Sequence, residues 1–347
     1  MISTVGWDVG GAHLKACLVE AGVARDAAQW PCPLWQGEEH LDRALDAACA
    51  RWPAASRHAV TMTGEMVDLY ADRERGVLAV GARLRARLGA ALAFYAGDAG
   101  FVAHDALAQR WAQVASANWL ATATLCAARA GHGVLVDIGS TTTDVVAFGR
   151  GAVSTGARSD AERLASGELV YHGVVRTPLC AIAQSVPWRG APHNVMNEFF
   201  ATSADVYRLT GELDEAHDQQ PSADGGSKDA AATCRRLARM VGLDARDASH
   251  AEWLAFAREW RALQLAAIAS QLERVIAARR VPLGAPLVAA GCGDFLVADL
   301  AAALARPVRR FASDVLGADG ALARWAQVCA PSVAVALLLD AEAACTS

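Results

Sequence analysis

Two stretches of this chain repeat one pattern of hydrophobic and polar positions. Residues 2–9 and 14–19 are strand-like apolar runs flanking Gly10-Gly11-Ala12-His13, which predicts a β-hairpin. Val134-Leu-Val-Asp-Ile-Gly-Ser-Thr-Thr-Thr-Asp-Val-Val-Ala-Phe148 reads the same way: strand, tight turn, strand. Asp8 matches Asp137, and Gly10-Gly11 matches Gly139-Ser140. Two Asp-x-Gly hairpins so far apart predict two halves of similar architecture.

Elsewhere the apolar period lengthens to that of helices. Helices are predicted over 38–51, 73–88, 160–166, 197–209, 230–242, 252–280, 295–305 and 320–345. Residues 106–130 read as one long alanine-rich helix, with Trp111 and Trp119 in the core and Asp105 as its N-cap. Short strands are predicted at 58–63, 92–96 and 286–290, and 151–156 extends the sheet of the second hairpin. Residues 211–229 are polar and contain Pro221, Gly225 and Gly226, which predicts a long surface loop with a lid as one use. The last helix either packs back on the C-terminal sheet or completes the N-terminal half. The expected division is 1–130 and 131–347, with an insertion near 195–250 and a glycine turn at 291–294.

Composition narrows the function classes. A chain of 347 residues, 54% hydrophobic and 20% charged, can bury cores for two domains. A net charge of −5 offers no basic footprint for nucleic acid. None of the nine cysteines forms a CxxC pair, so a reduced, cytoplasmic protein with buried thiols is expected. The apolar run at 330–339 is too short to span a bilayer, and no membrane partner is expected. A homo-oligomer stays open.

The hairpin turns carry the chemistry. Backbone N–H groups and hydroxyls at Gly10, Gly11, Gly139, Ser140, Thr141 and Thr142 suit phosphate oxygens. Carboxylates at their rims, Asp8, Asp137 and Asp144, suit a magnesium ion. Lys15 either points at a phosphate or faces solvent. Arg176 either clamps an anion bidentately or closes a structural ion pair. Glu65 and Asp68 follow a strand end, where sites gather in α/β sheets; the competing reading is helix-start carboxylates. Glu168 lies in a segment dense in hydrogen-bonding groups. Gly291, Gly293 and Asp294 form a third glycine turn ahead of a helix, a place that suits an anionic ligand. Neither the P-loop nor the dinucleotide-binding fingerprint is present. Together these features predict a phosphate site between two lobes.

Asp8-Val-Gly-Gly, Asp137-Ile-Gly-Ser-Thr-Thr-Thr-Asp144 and Ala290-Gly-Cys-Gly-Asp294 resemble the two phosphate segments and the adenosine segment of the actin, sugar kinase and heat-shock ATPase superfamily. The resemblance implies an α/β, two-lobed actin-like (ribonuclease H-like) fold with duplicated phosphate hairpins and a central cleft. It makes ATP or ADP with magnesium the superfamily's expected ligands, and Gly291, Gly293 and Asp294 an adenosine-type pocket. The Gly-Ser-Thr-Thr-Thr-Asp form is most similar to the hydantoinase A and oxoprolinase branch.

A narrower resemblance runs through most of the chain. Thr61-Met-Thr-Gly-Glu65, Ser166-Gly-Glu-Leu-Val-Tyr171, Arg176-Thr-Pro178, Phe200-Ala-Thr202, Ala204-Asp-Val-Tyr-Arg208, Ala223-Asp-Gly225 and Arg236-Leu-Ala-Arg-Met240 resemble hydantoinase/oxoprolinase-like proteins of the tetrahydromethanopterin-linked one-carbon pathway. These are related to the methanofuran-core synthase. The resemblance implies a transferase joining an aminomethylfuran-methyl diphosphate to the phenol of a glutamyl-tyramine or tyrosine-type acceptor, with release of diphosphate. Under it Asp8, Asp137, Glu65 and Glu168 are the catalytic candidates. An ATP-dependent kinase or ATPase, or a non-catalytic scaffold on the same fold, are the alternatives. Lys228 stands in the polar loop near where the family pattern carries an arginine.

Overall fold

The computed structural model describes residues 3–53 and 55–345; Ile2, expected in the first strand, lies outside them. The chain forms two compact units, one of Met1–Leu135, Val146–Glu162 and Arg309–Ser347, the other of Val136–Val145 and Arg163–Val308. The first unit's opening segment ends at Leu135. The two returns to the first unit leave no mark in the hydrophobic pattern.

The chain begins with β1 (Ser3–Val9), β2 (His13–Glu20), β3 (Val23–Pro31), α1 (Glu39–Arg51), β4 (Arg57–Met62), α2 (Arg73–Leu88), β5 (Leu92–Tyr95), β6 (Phe101–Ala103), α3 (Leu107–Val114) and α4 (Asn118–Ala130). The strands pair in the order β3-β2-β1-β4-β5-β6. Tight turns make β1 to β3 antiparallel, whereas the α1 crossover brings β4 in parallel to β1. Val5, Trp7 and Val9 share a buried cluster with Leu41 and Leu45 of α1 and Val77, Val80 and Leu84 of α2.

The chain continues through β7 (Gly133–Ile138), β8 (Thr143–Gly149), β9 (Ala152–Val153), α5 (Asp160–Ser166), β10 (Leu169–Val170), α6 (Leu179–Ile182), β11 (Ser185–Trp188), β12 (Ala191–Asn194), α7 (Ser203–Thr210), α8 (Ala230–Arg239), α9 (His250–Ala278), β13 (Leu287–Ala290), α10 (Val297–Ala303), β14 (Val308–Arg310), α11 (Gly320–Val328) and α12 (Ala330–Cys345). The second sheet has the order β10-β8-β7-β13-β14. It repeats the first: a hairpin, then a strand arriving beside the hairpin's first strand. The duplication read from two turns extends to strand order.

Three expectations are corrected. Residues 106–130 are not one helix: α3 ends at Val114 and α4 starts at Asn118, and the exposed Asp105 caps neither. Ala115 instead bridges Met62 of β4, and Ser116 takes a left-handed φ of 50°. The helix expected over 197–209 begins at Ser203, where Thr202 and Asp205 form a capping box. The sheet extension over 151–156 shrinks to the two residues of β9.

The C-terminal helix α12 packs on β1, β2 and β4, within the first unit. Gly6 permits this contact, because a Cβ there would overlap the Ser332 carbonyl. Asp340 of α12 accepts from Thr4 Oγ1 at 2.7 Å and from the Gly22 N–H at 2.9 Å. Among the described residues no single helix is long and apolar enough to cross a membrane. The pair Gly320–Val328 and Ala330–Ala343 passes only when joined, and it bends by 99°.

Candidate functional site

The two turns close identically. The Gly10 N–H donates to the His13 carbonyl at 2.9 Å, and the Gly139 N–H donates to the Thr142 carbonyl at 2.8 Å. Each turn is then held by a loop that follows the neighbouring inner strand. The Thr63 N–H after β4 donates to the Val9 carbonyl at 2.9 Å, and the Gly293 N–H after β13 donates to the Ile138 carbonyl at 2.8 Å. A third segment clasps each turn from the side. Leu34 N–H donates to Gly11 at 3.0 Å; Val175 and Arg176 donate to Ser140 at 3.1 and 2.8 Å.

In the second unit this arrangement gathers polar groups. Ser140, Thr141 and Thr142 are half-buried rather than solvated. Arg176 Nη1 donates to Thr141 Oγ1 at 3.3 Å. Burial pulls Arg176 below its ordinary pKa, and the nearby Tyr171 pushes the other way; the guanidinium keeps its charge regardless. Gly291 holds a φ of 85°, and a Cβ there would overlap the Ile138 carbonyl and Asp137 Oδ1. The glycine turn is therefore packed directly against the strand end that carries Asp137.

In the first unit the register sets Lys15, Asp8 and Thr61 side by side on one sheet face. Asp8 is buried and Lys15 half-buried. The loop after β4 separates the two acids there: Asp68 is exposed, whereas Glu65 is 1% exposed. Ser116 Oγ donates to Glu65 Oε1 at 2.8 Å, and Oε2 has no hydrogen-bond partner among the described residues. Burial raises the Glu65 carboxyl to about 7, against the opposing pull of the Ser116 hydrogen bond. A carboxylate poised there can take or give a proton near neutral pH.

Two other carboxylates are engaged in ion pairs. Asp144 accepts from the buried Arg163 Nη2 at 2.7 Å. Glu168, 1% exposed, is paired with Arg279 at 2.7 Å. Ser116, Arg163 and Arg279 carry no local motif, and only tertiary contact reveals them.

A model of the hydantoinase/oxoprolinase family matches residues 57–326. The chain belongs to this family. Two curated proteins are similar to it, both named (4-{4-[2-(gamma-L-glutamylamino)ethyl]phenoxymethyl}furan-2-yl)methanamine synthase. The one from Methanocaldococcus jannaschii is 27% identical over 299 residues, covering 86% of this chain and 88% of that protein. The one from Methanococcus vannielii is 25% identical over 209 residues, covering 60% of this chain and 91% of that protein. Among solved structures, a nucleotide-free acetone carboxylase aligns with a TM-score of 0.53 at 10% identity, over 96% of this chain and 70% of that one. This likeness shows the fold, the actin-like α/β ATPase class that the sequence predicts.

In this hydantoinase/oxoprolinase family member, three resemblance motifs of the second unit, 204–208, 223–225 and 236–240, meet in one ion-pair cluster. Arg236, fully buried, donates to Asp205 at 2.8 Å and to Asp224 at 3.1 Å. Arg208 pairs with Asp205 at 2.9 Å and also with Asp218, which Lys228 reaches at 3.0 Å. The polar loop 211–229 is thus pinned by ion pairs and contains the 3-10 turn Glu215–His217. From α7, Tyr207 donates to Gln264 Oε1 at 2.8 Å, and Gln264 Nε2 donates to the Gly173 carbonyl at 2.8 Å. The cluster therefore braces the segment that clasps Ser140.

Among the described residues no group of three or more His, Cys, Asp or Glu side chains converges as a metal site. Asp8 and Asp137 each offer a buried carboxylate at a phosphate-type turn. Either carboxylate by itself fits magnesium, which can bind through one carboxylate and complete its shell with water and substrate phosphate oxygens.

Proposed function

We propose that this protein is a transferase that forms an aryl ether. It condenses an aminomethylfuran-methyl diphosphate with the phenol of a glutamyl-tyramine or tyrosine-type acceptor and releases diphosphate. The names of the two relatives supply the product class, a phenoxymethyl furan methanamine. The observation that carries the reading is the clasped turn Gly139–Thr142 with Arg176 on Thr141, a holder for a multiply charged oxyanion.

The phenolic oxygen forms a bond to the furan methylene carbon. The bond from that carbon to the diphosphate oxygen breaks, and diphosphate leaves with the electron pair. The phenol proton passes to Glu65 Oε2. A phenol of pKa about 10 requires such an acceptor at neutral pH. In the second unit Ser140, Thr141, Thr142 and Arg176 hold the leaving diphosphate. Bound through Asp8 or Asp137, magnesium would neutralise charge on the leaving group. Asp144 and Glu168, held by Arg163 and Arg279, support the fold around the turn rather than the reacting atoms. We place the protein in the cytoplasm on the reduced cysteines alone.

One observation favours a second reading. The Gly291–Gly293 turn lies against Asp137 and Ile138, as an adenosine-type segment beside a phosphate strand requires. Under that reading the protein is an ATP-dependent kinase or ATPase. The two separate by assay. Purified protein with magnesium is given a furan-methyl diphosphate and a tyramine-type phenol, or ATP. Diphosphate release coupled to ether formation supports the transferase. Orthophosphate from ATP, with the furan diphosphate left intact, overturns it.

A further inference from the structure

The helix break at residues 115–117 has no explanation in local sequence. Ala, Ser and Ala are compatible with an unbroken helix. Yet Ala115 leaves the helix to bridge Met62, and Ser116, a non-glycine residue, sits at φ 50°. Such a backbone costs about 1 kcal/mol or more and persists where its surroundings impose it. The result is one buried contact, Ser116 Oγ to Glu65 Oε1 at 2.8 Å. The charged groups acting on Glu65 are Arg73 of α2 and Asp160 of α5, which pair with each other. Met66 Sδ lies 3.8 Å from the same hydroxyl.

We infer that Ser116 is the positioning residue for Glu65: the break between α3 and α4 presents one hydroxyl to Oε1 and leaves Oε2 to take the substrate proton. This rests on Glu65 being the proton acceptor. The hydroxyl donates to Oε1, and that bond is stronger to the ionised carboxylate than to the protonated one, so it favours ionisation. It also holds the carboxylate plane, because Glu65 is rooted in the short turn Gly64–Met66 and pinned at its far end by Ser116. Ser116 thus counters the burial that would otherwise keep Glu65 protonated.

The test uses Ser116→Ala and Ser116→Gly in the full chain. Glycine accepts the left-handed backbone without strain, so Ser116→Gly removes the hydroxyl while keeping the break. Two readouts are taken with each. The titration of Glu65 is followed by carboxyl carbon NMR on glutamate-labelled protein, assigned by the signal lost in Glu65→Gln. The pH profile of diphosphate release is measured in parallel. Loss of a hydrogen bond to a charged group is expected to raise the Glu65 midpoint by about one unit. The acid limb of the profile then moves up with it, a tenfold rate loss below the limb that recovers at high pH. An unmoved Glu65 midpoint in Ser116→Gly overturns the inference. A midpoint that moves while the acid limb stays in place sustains the Ser116–Glu65 coupling and overturns Glu65 as the acceptor.

Discussion

The two hairpin turns share a backbone and differ in what surrounds it. Gly10–His13 and Gly139–Thr142 close with the same hydrogen bond, and each is held by the loop after the neighbouring inner strand. In the first unit, Asp8 faces Lys15 across the hairpin. Asp144 holds the corresponding place in the second, and its countercharge comes from Arg163 outside the hairpin. The clasping segment is Leu34 in the first unit and Arg176 in the second. The loops after β4 and β13 diverge as well: one buries Glu65, the other packs Gly291 on Asp137. Duplication preserved the hydrogen bond that closes each turn and the loop that holds it. The side chains around the two turns then diverged, with hydroxyls and Arg176 at the second and Lys15 beside the first.

Four substitutions sharpen this contrast. Arg163→Met carries the largest expected effect. It leaves Asp144 buried without its guanidinium, and breaking a buried pair costs about 3–5 kcal/mol. Chemical denaturation should show it, and the double variant Arg163→Met, Asp144→Leu should recover much of the loss. Next come the cations of the two turns. Arg176→Met is expected to lower kcat/KM for diphosphate release about 100-fold, as removal of a positioned oxyanion donor does. Lys15→Met, on the turn without hydroxyls, should cost about tenfold or less. Equal losses would mean that the turns hold the anion equally. The last effect is a pH dependence of stability rather than of rate. Glu65 has a folded pKa raised to about 7 from 4.5, so its folded state binds the proton more tightly than its unfolded state. That contribution is present below 4.5 and is lost as pH rises through 7. Relative to Glu65→Gln, wild type should therefore lose about 2 kcal/mol between pH 5 and pH 8. Parallel pH curves for the two proteins would place Glu65 in contact with solvent.

Much of the fold could be read in the chain. The hairpins, α1, α2 and the strand before the 291–294 turn follow from apolar period and glycine placement. The helix break at Ser116 could not, because local composition there is helical and the cause is a bridge to a strand more than fifty residues away. The loop 211–229 reads as a surface loop, but what holds it does not show in its pattern. Asp218 and Asp224 are bound by Arg208 and Arg236 from the flanking helices and by Lys228 within the loop.

Among the candidate site residues, the sequence by itself determined the turn chemistry: which positions carry glycine, hydroxyl and carboxylate. These are local facts, since a hairpin turn is closed by residues three apart. Only the tertiary structure decided which carboxylates are held in ion pairs. Asp144 and Glu168 are claimed by Arg163 and Arg279, and buried Glu65, bonded by the Ser116 hydroxyl, has a raised pKa. Burial and countercharge set protonation, and both arise from segments that meet only when the chain has folded.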